Sequence, residues 1–316
     1  MVPVNQTFKD GFILLGFYEY LHTQTLLFLM FLTVYLLCLL GNTFLIILII
    51  TDSRLHTPMY LLLSNLSVVD ICITSLIFPR FLLTFLRMKS ISFFECMLQV
   101  YLFIGFESTE YLLLTVMSYD RYVAICHPLH YYLILNKKLC ALLVATTWII
   151  GMLDPAVVII LLSTLSFCAS HEINHIFCDL VPLLQRSCGD TLKVEVTIFM
   201  EGILLGFPSF GLTVSSYISI ISVIMKITSL EGRRKAFSTC SSHVTVITLL
   251  YLSLLCVYFQ PSNNILRSTK AVSLLNVMVI PILNPVLYSL RNKEVKIAFQ
   301  KLLQMRTKQK INSRFL

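Results

Sequence analysis

Several charged side chains stand where the surrounding sequence is apolar, and each could do chemistry. Asp70 falls in the middle of one apolar run, where an ionised carboxylate is costly unless paired. Glu110 offers a second carboxylate at similar depth in the next run, and Asn284 an amide in the last. Two acids at matching depth on neighbouring helices suit a bound cation; alternatively both are protonated and bonded to their helix neighbours. Glu107 lies one helical turn before Glu110 and shares its face. Carboxylates so placed repel in a low-dielectric setting. Glu107 therefore reads either as a ligand contact, by hydrogen bond or as counter-charge to an amine, or as a protonated side chain bonded to backbone. At the end of the same run stands Asp120-Arg121, either a snorkelling surface pair or a functional switch. His175-Ile176-Phe177-Cys178-Asp179 has metal-ligand spacing, but only if Cys178 is a free thiolate. Asp70 and Glu110 could imitate paired catalytic acids, yet no second catalytic element supports an enzyme.

These residues need elements to hold them, and composition says which. Of 316 residues, 57% are apolar and 13% charged, about half the charged share of a soluble domain. A spanning helix takes about 20 mostly apolar residues, and seven segments qualify: about 24–50, 58–80, 97–126, 139–162, 196–226, 236–259 and 271–290. Continuous runs rather than short alternating ones indicate helices, not a barrel. The fold class expected is thus an all-α membrane protein, a seven-helix bundle in one domain over 1–316. Residues 1–23 form an outer tail without a cleavable signal peptide, and 291–316 a cytoplasmic tail. Of the 24 Lys and Arg, 16 fall on the side of the 51–57, 121–138 and 226–235 loops and the C-terminus, and 8 on the other. The positive-inside rule puts the N-terminus outside. The net charge of +8 then reflects topology and contact with anionic membrane lipid, not nucleic-acid binding.

Cys96, Cys168, Cys178 and Cys188 fall on the outer side, an even number that permits three pairings. Asn5-Gln6-Thr7 is a glycosylation acceptor on that side, whereas Asn65-Leu66-Ser67 lies within a helix and should be unmodified. Asn42 must face the bundle, Pro58 suits a first helical turn, and Gly206 and Pro208 should bend the fifth helix. Pro281 and Pro285 free backbone carbonyls that need polar partners, with Asn284 the obvious one. Val295, Ala298, Phe299 and Leu302 recur among lysines as an interfacial amphipathic helix. A transporter would show an internal repeat with broken helices; none is visible.

Met117 to Cys126, running on to His127-Pro128-Leu129-His130-Tyr131, resembles the third-helix signature of odorant receptors, within the rhodopsin-like G-protein-coupled receptors. Gly41-Asn42, Leu55-His56-Thr57-Pro58-Met59-Tyr60, Ser216-Tyr217, Lys235-Ala236-Phe237-Ser238-Thr239-Cys240-Ser241-Ser242-His243 and Pro281 to Asn292 extend the likeness over nearly the whole chain. Ser118, Leu252 and Asn276 depart from the family's commoner Ala, Gly and Tyr, and Leu252 puts the pocket volume nearby in question. The resemblance implies an odorant receptor without enzymatic activity. A small, largely apolar odorant would bind between the third, fifth, sixth and seventh helices, against Phe103, Ile104, Glu107, Tyr251, Leu255 and Tyr258. Asp120, Arg121, Tyr122, Tyr217, Lys235 and His243 would couple it to the stimulatory olfactory G protein, which raises cyclic AMP. No cofactor is implied beyond a structural sodium ion at Asp70, Glu110 and Asn284. The likeness implies Cys96–Cys178, and Cys168–Cys188 is the second pairing expected. Olfactory sensory cilia are the expected location; the same fold could also serve a non-olfactory tissue.

Overall fold

The computed structural model describes residues 11–17, 23–167, 171–258, 270, 272–290 and 294–302. Five helices among them are long and apolar enough to cross a membrane: α1 (Gln24–Thr51), α2 (Pro58–Phe85), α3 (Phe93–Cys126), α4 (Lys137–Thr164) and α5 (Leu192–Lys226). Two more complete the bundle. α6 (Leu230–Tyr258) opens with a basic, hydroxyl-rich stretch and carries its apolar part after it; α7 (272–290) is apolar over Val272–Leu287. Outward-facing apolar side chains such as Leu26, Leu40 and Ile50 are about two-thirds exposed. So many bare apolar groups are stable only where lipid covers them.

Local signals set the helix starts. Ser92 and Glu95 form a capping box: the Glu95 N–H donates to Ser92 Oγ (3.2 Å) and the Ser92 N–H to Glu95 Oε2 (3.0 Å), so two otherwise orphaned donors are satisfied. Asn136 caps α4 by accepting from the Leu139 N–H at 2.9 Å, and Pro58 opens α2. In the α1–α2 turn, Arg54 donates to Asp52 through Nε and Nη2 (3.0 and 2.6 Å). These bonds hold the Asp52 carboxyl well below the usual carboxylate range.

α3 is the axis, packed against α2, α4, α5 and α6, while α1 packs on α2 and α7. The α3–α4 approach depends on a small residue: a Cβ on Gly151 would strike Thr109 Oγ1 and lie 2.7 Å from its backbone nitrogen. Cross-helix bonds reinforce it, from Tyr101 Oη to Met152 O (2.7 Å) and from Ser108 Oγ to Asp154 Oδ2 (2.6 Å). Asn65 accepts from Trp148 Nε1 at 3.1 Å, so this amide is a helix-packing group. Departures from regular α-helix fall next to prolines, which lack an N–H. A π-helical turn, Gly202–Gly206, precedes Pro208, and another, Leu275–Val279, precedes Pro281.

At the bundle end nearest Cys96, three short strands that helical periodicity does not announce form a lid. β1 (Phe12–Leu14) pairs antiparallel with β2 (Ser90–Ile91) and parallel with β3 (Glu172–Ile173). Leu14 is fully buried and Phe12 meets Phe167 edge-on at 5.4 Å. The Cys96–Cys178 disulfide pins the same loop to α3, and Gln99 Oε1 accepts the Cys178 N–H at 3.0 Å. Cys188 is also disulfide-bonded; Cys168 lies outside the described residues, as does Asn5. At the opposite end a helix over 294–302 buries Val295 and Ala298, and its Phe299 meets Phe44 edge-on at 5.4 Å.

Gly151→Val should overpack the α3–α4 contact at roughly 1–3 kcal/mol. It should lower the melting temperature of detergent-solubilised protein and its level at the cell surface. Gly211→Ala, which meets nothing within 4 Å, should change neither.

Candidate functional site

The polar centre is built on α1, α2, α3 and α7. Asp70 and Asn284 are fully buried, and Asn284 Nδ2 donates to both Asp70 oxygens at 3.2 and 2.9 Å. From the sequence, Asn284 is expected to serve a carbonyl released by Pro281 or Pro285. Its amide takes the carboxylate instead, a stronger acceptor, while Asn42 Nδ2 donates to Pro281 O at 2.9 Å. Glu110 is 3% exposed and near enough to Asp70 and Glu107 for their charges to interact. Oxygens of Glu110, Asn284 and Asn42, with the Ser67 hydroxyl, are buried without hydrogen-bond partners. Unsatisfied oxygens beside a buried carboxylate are the donor set a hard cation takes, so the residues fit a sodium ion. No group of three or more His, Cys, Asp or Glu suited to a metal occurs among the described residues. Cys178 is spent in the disulfide, which removes the metal reading of His175 and Cys178.

Toward the lid, Phe103 is buried against Phe177 of the loop, rings edge-on at 4.7 Å. Ile104 packs into the cluster around Val100, Leu162 and Cys178. Glu107 is partly accessible and accepts from Asn276 Nδ2 at 3.1 Å. Tyr251 lies edge-on to Phe210 (4.9 Å) and tilted to Tyr111 (6.0 Å). The side chains of Leu255 and Tyr258 lie outside the described residues. Leu252 is 52% exposed and faces out of the bundle, so it does not narrow the pocket floor. Residue type could not reveal that; only the rotation of α6 could.

At the opposite end Asp120 and Arg121 are 1% and 8% exposed, which removes the solvated surface-pair reading. Arg121 Nε lies 3.9 Å from Asp120 Oδ2, and Tyr131, which the sequence reading gave no role, donates its hydroxyl to Asp120 Oδ1 at 2.7 Å. Arg121 Nη2 is buried without a partner. Tyr217 of α5 is hydrogen-bonded to Nδ1 of buried His243 on α6, and Tyr122 Oη lies 3.2 Å from His127 Nε2. Tyr122 and Tyr217 both pack against the Ile220, Ile224 and Cys240 cluster. The Lys235 side chain lies outside the described residues.

A family model described as olfactory receptor matches residues 31–306. The chain belongs to the olfactory receptor family. This receptor is 46% identical over 304 residues to olfactory receptor 1G1 of Gorilla gorilla gorilla, covering 96% of its own length and 97% of that protein's. It is 44% identical to olfactory receptor 1f45 of Rattus norvegicus, over 97% and 98% of the two lengths. Olfactory receptor 7D2 of Homo sapiens is similar at 46%, over 95% and 96%. The receptor is therefore a multi-pass membrane protein with the seven-helix family fold, a G-protein-coupled receptor for odorants and not an enzyme.

Asp70→Ala leaves the Asn284 amide without its acceptor, worth about 1–3 kcal/mol, and should lower the receptor's melting temperature. Exchanging the pair, Asp70→Asn with Asn284→Asp, restores donor and acceptor and should recover most of the loss. A double variant as unstable as the two single changes added together would show that the bond carries no stability.

Proposed function

We propose that the receptor binds a small, largely apolar odorant at the lid end, between α3, α5, α6 and α7. Its N-terminus faces outward, and it activates the stimulatory olfactory G protein at the Asp120-Arg121 end, so that cyclic AMP rises. The excess of Lys and Arg at that end supports the orientation. Phe103, Ile104, Glu107 and Tyr251, with Leu255 and Tyr258, supply the pocket. Outward-facing lipid completes the surroundings, olfactory sensory cilia the setting, and glycosylation at Asn5 and a Cys168–Cys188 bridge the outer face.

The observation that carries the coupling is the buried Arg121, held loosely by an Asp120 carboxylate whose other oxygen serves Tyr131. Its Nη2 has no partner, and a guanidinium so placed is ready for an acceptor that a partner brings. Ligand binding acts as a population shift between two bundle arrangements. In one, Arg121 is shared with Asp120. In the other, α6 swings away, the Tyr217–His243 contact rearranges, and Arg121, Tyr122 and Lys235 face the G protein. Arg121 suits the switch because its planar fork exchanges one set of acceptors for another. At the polar centre, Asp70, Glu110 and Asn284 would hold a sodium ion, which supplies positive charge between the two acids and favours the resting arrangement.

Arg121→Ala should abolish the odorant-driven cyclic AMP response of transfected cells while surface staining persists. A wild-type response would remove Arg121 from the coupling site. Asp70→Asn or Glu110→Gln should each weaken sodium's effect on activation; an unchanged sodium response in both would mean two independently hydrogen-bonded acids.

A further inference from the structure

The pocket end of the bundle carries more carboxyl groups than an apolar ligand needs. Glu107 accepts from Asn276 Nδ2, and Asp179 of the loop accepts from Ser273 Oγ at 3.3 Å. Ser273 and Asn276 are three residues apart, on one face of α7. Two carboxylates from different elements thus dock side by side on neutral donors of one helix, near enough for their charges to interact. Among the described residues neither forms an ion pair with a Lys or Arg. The basic groups nearby are committed elsewhere or weakly placed. Lys270, three residues before Ser273, donates to Gly16 O (2.7 Å) and Asn174 Oδ1 (2.8 Å). His175 Nε2 stands 3.9 Å from Asp179 Oδ2.

A second observation points into the same space. The carbonyl oxygen of Asn276, whose amide nitrogen donates to Glu107, is buried and accepts nothing. Tyr111, four residues beyond Glu107 and so on its face, packs on Tyr251, which packs on Phe210. The arrangement is anionic at one side, aromatic at the other and holds an unused acceptor. Neutral odorants would offer Glu107 and Asp179 no counter-charge. An ammonium group would offset their repulsion, donate to the spare oxygen and rest its apolar tail against the aromatic faces.

We propose that the receptor's preferred ligands are protonated amines with a compact apolar tail, and that Glu107, supported by Asp179, is the counter-charge that selects them. This rests on the pocket proposed above. The test pairs each amine with its alcohol of matching shape: cyclohexylmethylamine with cyclohexylmethanol, and benzylamine with benzyl alcohol. Binding is read as a shift in melting temperature of purified, detergent-solubilised receptor, and signalling as cyclic AMP in transfected cells. Amines should stabilise the wild type and act at concentrations about tenfold or more below their alcohols, as a desolvated charge pair requires. Glu107→Gln should erase that preference, Glu107→Asp should keep most of it, and Asp179→Asn should reduce it. Should Glu107→Gln fail to fold, Asp179→Asn and the wild-type preference still decide. Alcohols matching amines in the wild type, or an undiminished preference in Glu107→Gln, overturns the proposal. Amines that stabilise the wild type through Glu107 but raise no cyclic AMP support the amine site and refute the coupling instead.

Discussion

The bundle depends on one buried interaction, the Asn284 amide donating to both oxygens of Asp70. In lipid, every broken backbone bond and every buried charge needs a protein partner. α7 carries two prolines inside the membrane and could not stand alone there. The Asp70 carboxylate fixes it to α2, and the Asn42 amide, taking Pro281 O at 2.9 Å, fixes it to α1. These bonds link three helices around a centre that still holds unsatisfied oxygens, so the tie is strong without being closed.

From that centre α3 runs to both working ends. Toward the lid it carries Phe103 and Glu107 and is pinned to the loop by the Cys96–Cys178 bridge. Toward the other end it carries Asp120 and Arg121, both buried and incompletely paired. Glu110 shares a face of α3 with Glu107 and is buried, as are Asp70 of α2 and Asn284 of α7. The π turns before Pro208 and Pro281 put deformable backbone in α5 and α7, two of the helices expected to line the pocket.

Much of this was legible in the residues. Continuous apolar runs are long enough for the bilayer and mean helices in any context, because no other open structure satisfies its backbone in lipid. The inward-facing Asn42 and the motif likeness that led to the family were equally plain in the chain itself, and that likeness, not the cysteine spacing, implied the bridge from Cys96 to the loop. Buried acids within those runs marked the polar centre by their cost alone.

Partners across helices were not legible, because they depend on helix rotation and depth rather than on residue type. Asn276 registered only as a departure from a commoner tyrosine, yet it is the donor to Glu107. Ser273 carried no signal and Asp179 only that of a metal-ligand spacing which the disulfide removes, since each is an ordinary polar residue until the loop folds back onto α7. Tyr131 lies 11 residues past Asp120, about 16 Å along a straight helix, and only the turn after α3 brings it in. Leu252 read as a threat to pocket volume until the rotation of α6 turned it outward. The sequence by itself determined the membrane as solvent, the helical bundle and the family. The tertiary structure alone decided which buried polar groups meet, because hydrogen bonds need distances of about 3 Å that only packed helices set.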